Sequence, residues 1–129
     1  MIYILLNLAP IGAATLVALL LGLARHALSG GGRLGLGVSL TALVAHFWFA
    51  AILAGALILA PPKADPWVMA LASAGVIWAG FVAPALALTG AYRGVGVARL
   101  LGDCLYWLVA MLAEAAVMKA IGLVPPPVG

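Results

Sequence analysis

Ionisable side chains inside long apolar segments are the residues of this sequence that could carry chemistry. His46, Asp103, Glu114 and Lys119 lie at or within such segments. Because an ionisable group is costly in hydrocarbon, residues of this kind mark proton relays, substrate contacts or contacts between subunits. Each of the four is therefore a candidate site residue, although each could also have a purely structural role.

Glu114 is the most informative of these residues. It lies fifteen positions after Arg99, which is about 22 Å along a helix and therefore deep in the hydrocarbon. Asp103 precedes it by eleven positions, so both carboxyl groups fall on one helical face that must point at protein. Lys119 is off this face and is a poor intrahelical partner. We expect Glu114 to accept a hydrogen bond within the bundle or a larger assembly, with proton-coupled transport as the alternative.

Asp103 has a simpler explanation in its neighbour on the same helix. It follows Arg99 by four positions at the membrane boundary. Opposite charges at this spacing are adjacent on a helix surface and satisfy each other. The spacing predicts an interfacial ion pair between Arg99 and Asp103, with a partner or substrate contact as the alternative.

His46 begins an aromatic cluster that continues to Phe49. A histidine in an apolar helix can ligate a haem or a chlorophyll, but bis-histidine haem needs a second ligand at the same depth. The other histidine of the sequence, His26, lies at the membrane boundary. We therefore expect a buried structural histidine and no cofactor. The sequence also contains no metal-ligand spacing, phosphate-binding loop or nucleophile motif, so neither a metal site nor an enzymatic activity is predicted.

The elements that must position these residues are four apolar segments, at about 8–25, 39–60, 67–89 and 97–123. The 129 residues are 67% apolar and 7% charged, whereas about a quarter of a soluble domain is charged. Each segment is close to the roughly 17–25 residues that a membrane-spanning helix needs. The sequence predicts one all-α membrane domain over 1–129, with four transmembrane helices in an up-down bundle.

Breaks and small residues add detail to this bundle. Pro84 lies inside the third segment, where it removes a backbone hydrogen bond and should kink the helix. Asn7 is expected to cap the first helix. Small residues favour close helix packing in lipid, and they recur in all four segments: Ala13, Ala14, Ala54, Gly55, Ala72, Gly75, Ala79, Gly80, Ala113 and Ala116.

Orientation follows from the charges of the connections. The first and third connections carry two arginines each, Arg25 and Arg33, then Arg93 and Arg99. In the second connection Lys63 is offset by Asp65. The positive-inside rule then predicts that the first and third connections are cytoplasmic and that both termini are periplasmic, in a bacterial inner membrane. The six basic residues are too scattered for a nucleic-acid surface.

Two motifs in the second half of the chain suggest a family. Residues 78–84 read WAGFVAP, and after a glycine-containing turn residues 105–109 read LYWLV. This pattern, mainly over 75–122, resembles the bacterial domain of unknown function 1761 family, whose third and fourth helices carry similar W-x-G-F-x-x-P and Y-W-L-V runs. The resemblance implies a small four-helix membrane protein and brings no activity.

Three classes of function are compatible with these observations. The favoured one is a non-catalytic accessory or assembly subunit that packs against a larger inner-membrane complex, because loops this short leave no room for a soluble catalytic domain. The second is a small proton-coupled transporter or channel that acts as an oligomer and uses Glu114. The third is a haem- or quinone-linked protein that uses His46. The expected partners are the lipid bilayer and other membrane subunits or further copies of the chain.

Overall fold

A computed structural model describes residues 1–128, and the regular structure in this range is entirely helical. The elements are α1 (Ile2–Leu6), α2 (Leu8–Leu28), α3 (Leu36–Leu59), α4 (Pro66–Ile77), a π-helical segment (Trp78–Val82), α5 (Ala83–Tyr92) and α6 (Val97–Ile121). Four spans are long and apolar enough to cross a membrane: α2, α3, the continuous helix Pro66–Tyr92, and α6. The predicted all-α, four-helix membrane bundle is confirmed.

Two of the spans are longer than the hydrophobic pattern suggests. α2 continues to Leu28 rather than ending near Arg25, and α3 begins at Leu36 rather than near Ser39. The chain leaves α2 through Gly30, whose φ of 74° suits a residue without a Cβ. The helix ends are therefore set by turn chemistry beyond the apolar stretch, and the additional residues project toward the membrane surface.

Large apolar side chains cover the outside of the bundle, while its centre is built from small ones. Exposed side chains on the spans include Leu16, Leu20, Leu40, Val44, Val76 and Leu105. In water this surface would be an aggregation site, but in lipid it is the surface that contacts solvent. The buried alanines are Ala14, Ala18, Ala50, Ala51, Ala54, Ala70, Ala74, Ala110 and Ala115. Small side chains let the helices approach closely, as the sequence predicts.

α6 is the central helix of the bundle, because it packs against α2, α3, α4 and α5. A hydrogen bond from the indole Nε1 of Trp78 to the carbonyl oxygen of Cys104, at 2.8 Å, ties the π-helical segment to α6. The residues that α6 directs inward therefore meet side chains from several helices at once.

The third span is irregular next to Pro84, as the sequence predicts. Its ring nitrogen cannot donate to the carbonyl of Gly80. The five residues that precede Ala83 form a π-helical turn, in which the Ala83 amide donates to the carbonyl of Trp78. Such turns are a common consequence of an interrupted α-helical ladder. The irregularity predicted at Pro84 is therefore a π-helical turn just before the proline.

Asn7 has a different role from the one predicted. Its side chain does not cap α2. Instead Nδ2 donates to the Val124 carbonyl at 2.8 Å, and the Val124 amide donates to Oδ1 at 2.7 Å. Nδ2 also donates to the carbonyl of Tyr3 at 2.8 Å. The capping prediction is wrong because α1 continues directly into α2, and the side chain serves the segment after α6. These bonds place both ends of the chain at the same end of the bundle.

Candidate functional site

Glu114 is completely enclosed at the centre of the bundle, with 0% of its surface exposed. Neither carboxyl oxygen has a hydrogen-bond partner among residues 1–128. Buried polar groups in folded proteins are nearly always hydrogen-bonded, because an unpaired one is costly in an apolar environment. This carboxyl group is therefore the principal chemical feature of the core.

His46 of α3 lies directly opposite this carboxyl group. Its Nδ1 atom is 3.6 Å from Oε1 of Glu114, slightly beyond hydrogen-bond distance. Nδ1 has no partner in the described part of the chain either. An imidazole and a carboxyl group at this separation can share or exchange one proton after a small side-chain movement. The two side chains therefore form a single buried pair, which we call the His46–Glu114 pair.

The contact between His46 and Glu114 could not be predicted from their positions in the sequence. Counting along the sequence puts His46 and Glu114 in opposite halves of the membrane. A residue count gives the position of each Cα along its own helix. It gives neither the tilt of α3 and α6 nor the shift of one helix relative to the other. The structure packs these two helices together, and the reach of both side chains closes the remaining gap.

Aromatic rings pack against one side of the His46–Glu114 pair. The Trp107 ring lies 5.2 Å from that of His46, with an angle of 31° between the planes. Phe49 and Tyr106 both contact Trp107, at centroid distances of 5.3 and 5.7 Å. Trp107 and Glu114 are seven residues apart on α6, which places them on the same helical face. The pair therefore lies beside an aromatic wall.

A groove on the bundle surface leads to His46 between α3 and α6. Its volume is about 590 Å³ and it ends at His46 and Trp107. Its other lining residues are Gly37, Val38, Thr41, Ala42 and Ala45. From Gly37 to His46 the groove follows α3 for about 14 Å. Nδ1 of His46 is buried opposite Glu114, and His46 also lines the groove.

Asp103 pairs with Arg25 of α2 rather than with Arg99. The Nη2 atom of Arg25 is 2.6 Å from Oδ1 of Asp103, and the guanidinium group also lies 4.9 Å from the centroid of the Tyr106 ring. Arg99 is exposed and makes no salt bridge within residues 1–128. The predicted Arg99–Asp103 ion pair is therefore wrong, because spacing within α6 does not include α2, whose last turns pack against the same face.

Lys119 lies at the opposite end of the bundle from this ion pair. Its Nζ atom is 6.0 Å from the centre of the Trp67 ring. It lines a cavity of about 370 Å³ beneath the proline-rich connection between α3 and α4. Across the described residues, no group of three or more His, Cys, Asp or Glu side chains comes together.

No protein-family model, curated protein or solved structure matches this chain. The resemblance to the domain of unknown function 1761 family rests on the residues of the two motifs and stays a prediction.

Proposed function

We propose that the protein is a non-catalytic accessory or assembly subunit of a larger membrane complex. The observation that carries this proposal is the poor coverage of the third span, Pro66–Tyr92. In its most apolar 18-residue stretch 6% of the residues are buried, compared with 28% in each of the other three spans. The third span therefore offers the largest helical surface for a neighbouring chain.

The uncovered side of this span has the composition of a helix–helix contact. Ala72, Val76 and Ala79 are exposed and follow one another at spacings of four and three residues, which places them on one face. A Cβ atom added to Gly80, beside them, would meet nothing within 4 Å. Helices in lipid associate through close packing at small residues. We propose a transmembrane helix of another subunit as the occupant of this face, which we call the third-span face.

The cellular location belongs to the same proposal. The arginine-rich first and third connections favour a bacterial inner membrane with these connections in the cytoplasm and both termini in the periplasm. The bonds between Asn7 and Val124 support the placement of both termini on one side.

Site-specific photocrosslinking in whole cells tests the third-span face. A photoreactive residue at Val76 is expected to give one discrete crosslinked product with another membrane protein. The matched control is Leu20 of α2, which is apolar and similarly exposed but lies outside this face. Either no product at Val76 or the same products at both positions would overturn the proposal.

The His46–Glu114 pair supports a second candidate, a small proton-coupled transporter or channel. Two titratable groups 3.6 Å apart in the centre of a membrane bundle can hold and pass on a proton. Four helices of this length enclose little space, so transport would require several copies of the chain. The two candidates differ in what they require of Glu114: a transporter needs its carboxyl group to titrate, and an accessory subunit does not.

A further inference from the structure

The groove between α3 and α6 ends at a polar side chain that the rest of the chain leaves unsatisfied. His46 is 6% exposed and lines the groove. Its Nδ1 atom faces Glu114 at 3.6 Å, so the other ring nitrogen, Nε2, is the one that a ligand in the groove would meet. A buried imidazole at the inner end of an apolar groove points to a ligand that brings a polar atom to this depth.

The position of the groove determines how such a ligand enters. Val38, Thr41 and Ala45 line it and are exposed on the outside of α3, where the bundle meets lipid. Its volume is about 590 Å³, and it is open along its lipid-facing side, so it would hold a headgroup against the bundle rather than enclose a whole molecule. A ligand that enters here is dissolved in the membrane, which favours a lipid-soluble molecule over an ion or a water-soluble metabolite.

Trp107 indicates the shape of the polar end of this ligand. Its indole ring borders the groove beside His46. Aromatic rings prefer offset or tilted stacking on other flat rings. A planar headgroup would therefore contact the indole while one of its oxygen atoms meets the imidazole.

The His46–Glu114 pair can recognise such an oxygen atom in two forms. When the carboxyl group is protonated and donates to Nδ1, the imidazole carries its proton on Nε2 and donates to a carbonyl oxygen. When the carboxylate accepts from Nδ1–H, Nε2 is free to accept from a hydroxyl group. A ring that interconverts between carbonyl and hydroxyl forms matches both states of the pair.

We infer that this groove binds the headgroup of a membrane quinone or quinol, with Trp107 against the ring and His46 hydrogen-bonded to a ring oxygen. Glu114 acts as a positioning residue, because it contacts Nδ1 and selects the proton arrangement of the imidazole.

Equilibrium binding of a short-chain ubiquinone to the purified protein in lipid nanodiscs tests this inference, with empty nanodiscs to correct for partitioning. We expect saturable binding of one molecule per chain. His46→Phe keeps the ring shape but removes the polar atoms, and it should weaken binding about tenfold, as expected for one lost hydrogen bond. Ala42→Phe fills the groove without changing the His46–Glu114 pair, and it should abolish saturable binding.

Trp48→Phe is the matched control, because Trp48 lies two residues from His46 but lines a different groove, next to Phe81. This variant should bind like the wild-type protein. Circular dichroism and size-exclusion chromatography establish that each variant is folded. Wild-type binding no greater than that of empty nanodiscs would overturn the inference, and so would undiminished binding by folded Ala42→Phe.

Discussion

The Nδ1 atom of His46 and the Oε1 atom of Glu114 lie 3.6 Å apart, on two helices that run in the same direction through the bundle. Neither atom has another partner among the described residues. Asn7 and Thr15, which are also buried, are fully hydrogen-bonded by contrast: Thr15 donates to the Ile11 carbonyl at 2.8 Å, and Asn7 pairs with Val124.

The buried polar side chains of this core therefore fall into two groups with different roles. Asn7 and Thr15 satisfy the backbone and hold segments together, so their role is structural. The His46–Glu114 pair makes no hydrogen bond to the rest of the described chain, and a well-packed apolar pair of similar volume could often replace such a pair without loss of stability. The stability of the bundle therefore does not explain why these two titratable groups are held in this arrangement.

The first prediction measures what the His46–Glu114 pair contributes to stability. Glu114→Leu leaves the imidazole buried without a partner and should lower the free energy of unfolding by about 1–3 kcal/mol. The double variant His46→Phe/Glu114→Leu removes both polar groups and should be close to the wild-type protein. Unfolding in mixed detergent micelles gives the three values that the comparison needs.

Met118→Leu is the control for this prediction, because Met118 is buried on the same helix and the change nearly conserves volume. It should cost less than about 1.5 kcal/mol. A double variant that is less stable than Glu114→Leu alone would contradict the idea that the two groups mainly satisfy each other.

The helical architecture could be predicted from the sequence because it depends on properties that sequence records directly. Apolar segments long enough to cross a membrane must satisfy their backbone hydrogen bonds within the segment, so they form transmembrane helices. Ser29–Gly32 and the proline-rich connection mark where these helices are interrupted. Glu114, His46 and Asp103 were identifiable as candidate residues for the same reason, since each is ionisable within an apolar segment.

The partners of these residues could not be predicted, because they come from other helices. Spacing within α6 favoured Arg99 for Asp103, whereas packing of α2 supplies Arg25. The contact between Glu114 and His46 depends on the relative shift of α3 and α6, which no single-helix pattern contains. The groove had no sequence signal apart from small residues in the first turns of α3 and the bulky Trp107 opposite them.

The second prediction concerns the interhelical ion pair. Arg25→Ala removes both the bond to Asp103 and the contact with the Tyr106 ring. Both groups are partly exposed, so the loss in free energy of unfolding should be modest, about 1 kcal/mol. Arg99→Ala removes the same charge near the same end of α6 and should change stability by less than about 0.5 kcal/mol.

A double-mutant cycle completes this test. Arg25→Ala combined with Asp103→Asn should cost little more than either change alone, because the two residues act on each other. Equal effects of Arg25→Ala and Arg99→Ala in the same thermal scan would contradict the interhelical pairing.

The third prediction concerns orientation in the membrane. In a Cys104→Ser background, a single cysteine at Ala64 should react with an impermeant thiol reagent added outside intact cells, because the second connection is predicted to be periplasmic. A cysteine at Gly32 should be protected. Gly32 is preferable to Gly31, where a Cβ atom would collide with the His26 ring. Labelling at Gly32 but not at Ala64 would reverse the topology.

The final prediction separates an accessory subunit from a proton-coupled transporter through Glu114→Gln. Glutamine keeps the shape of the side chain and can donate to or accept from His46, but it cannot titrate. If the protein only supports an assembly, the yield of crosslinked complex at Val76 and the growth of cells that depend on the protein should both be nearly unchanged. We expect this result, because the third-span face lies on α4 and the π-helical segment, whereas the His46–Glu114 pair lies on α3 and α6. Contact through this face needs no proton from the core. The matched variant is Glu114→Leu, which should reduce complex yield through lost stability. A Glu114→Gln protein that assembles normally but supports no growth would instead assign the coupling of proton movement to the His46–Glu114 pair.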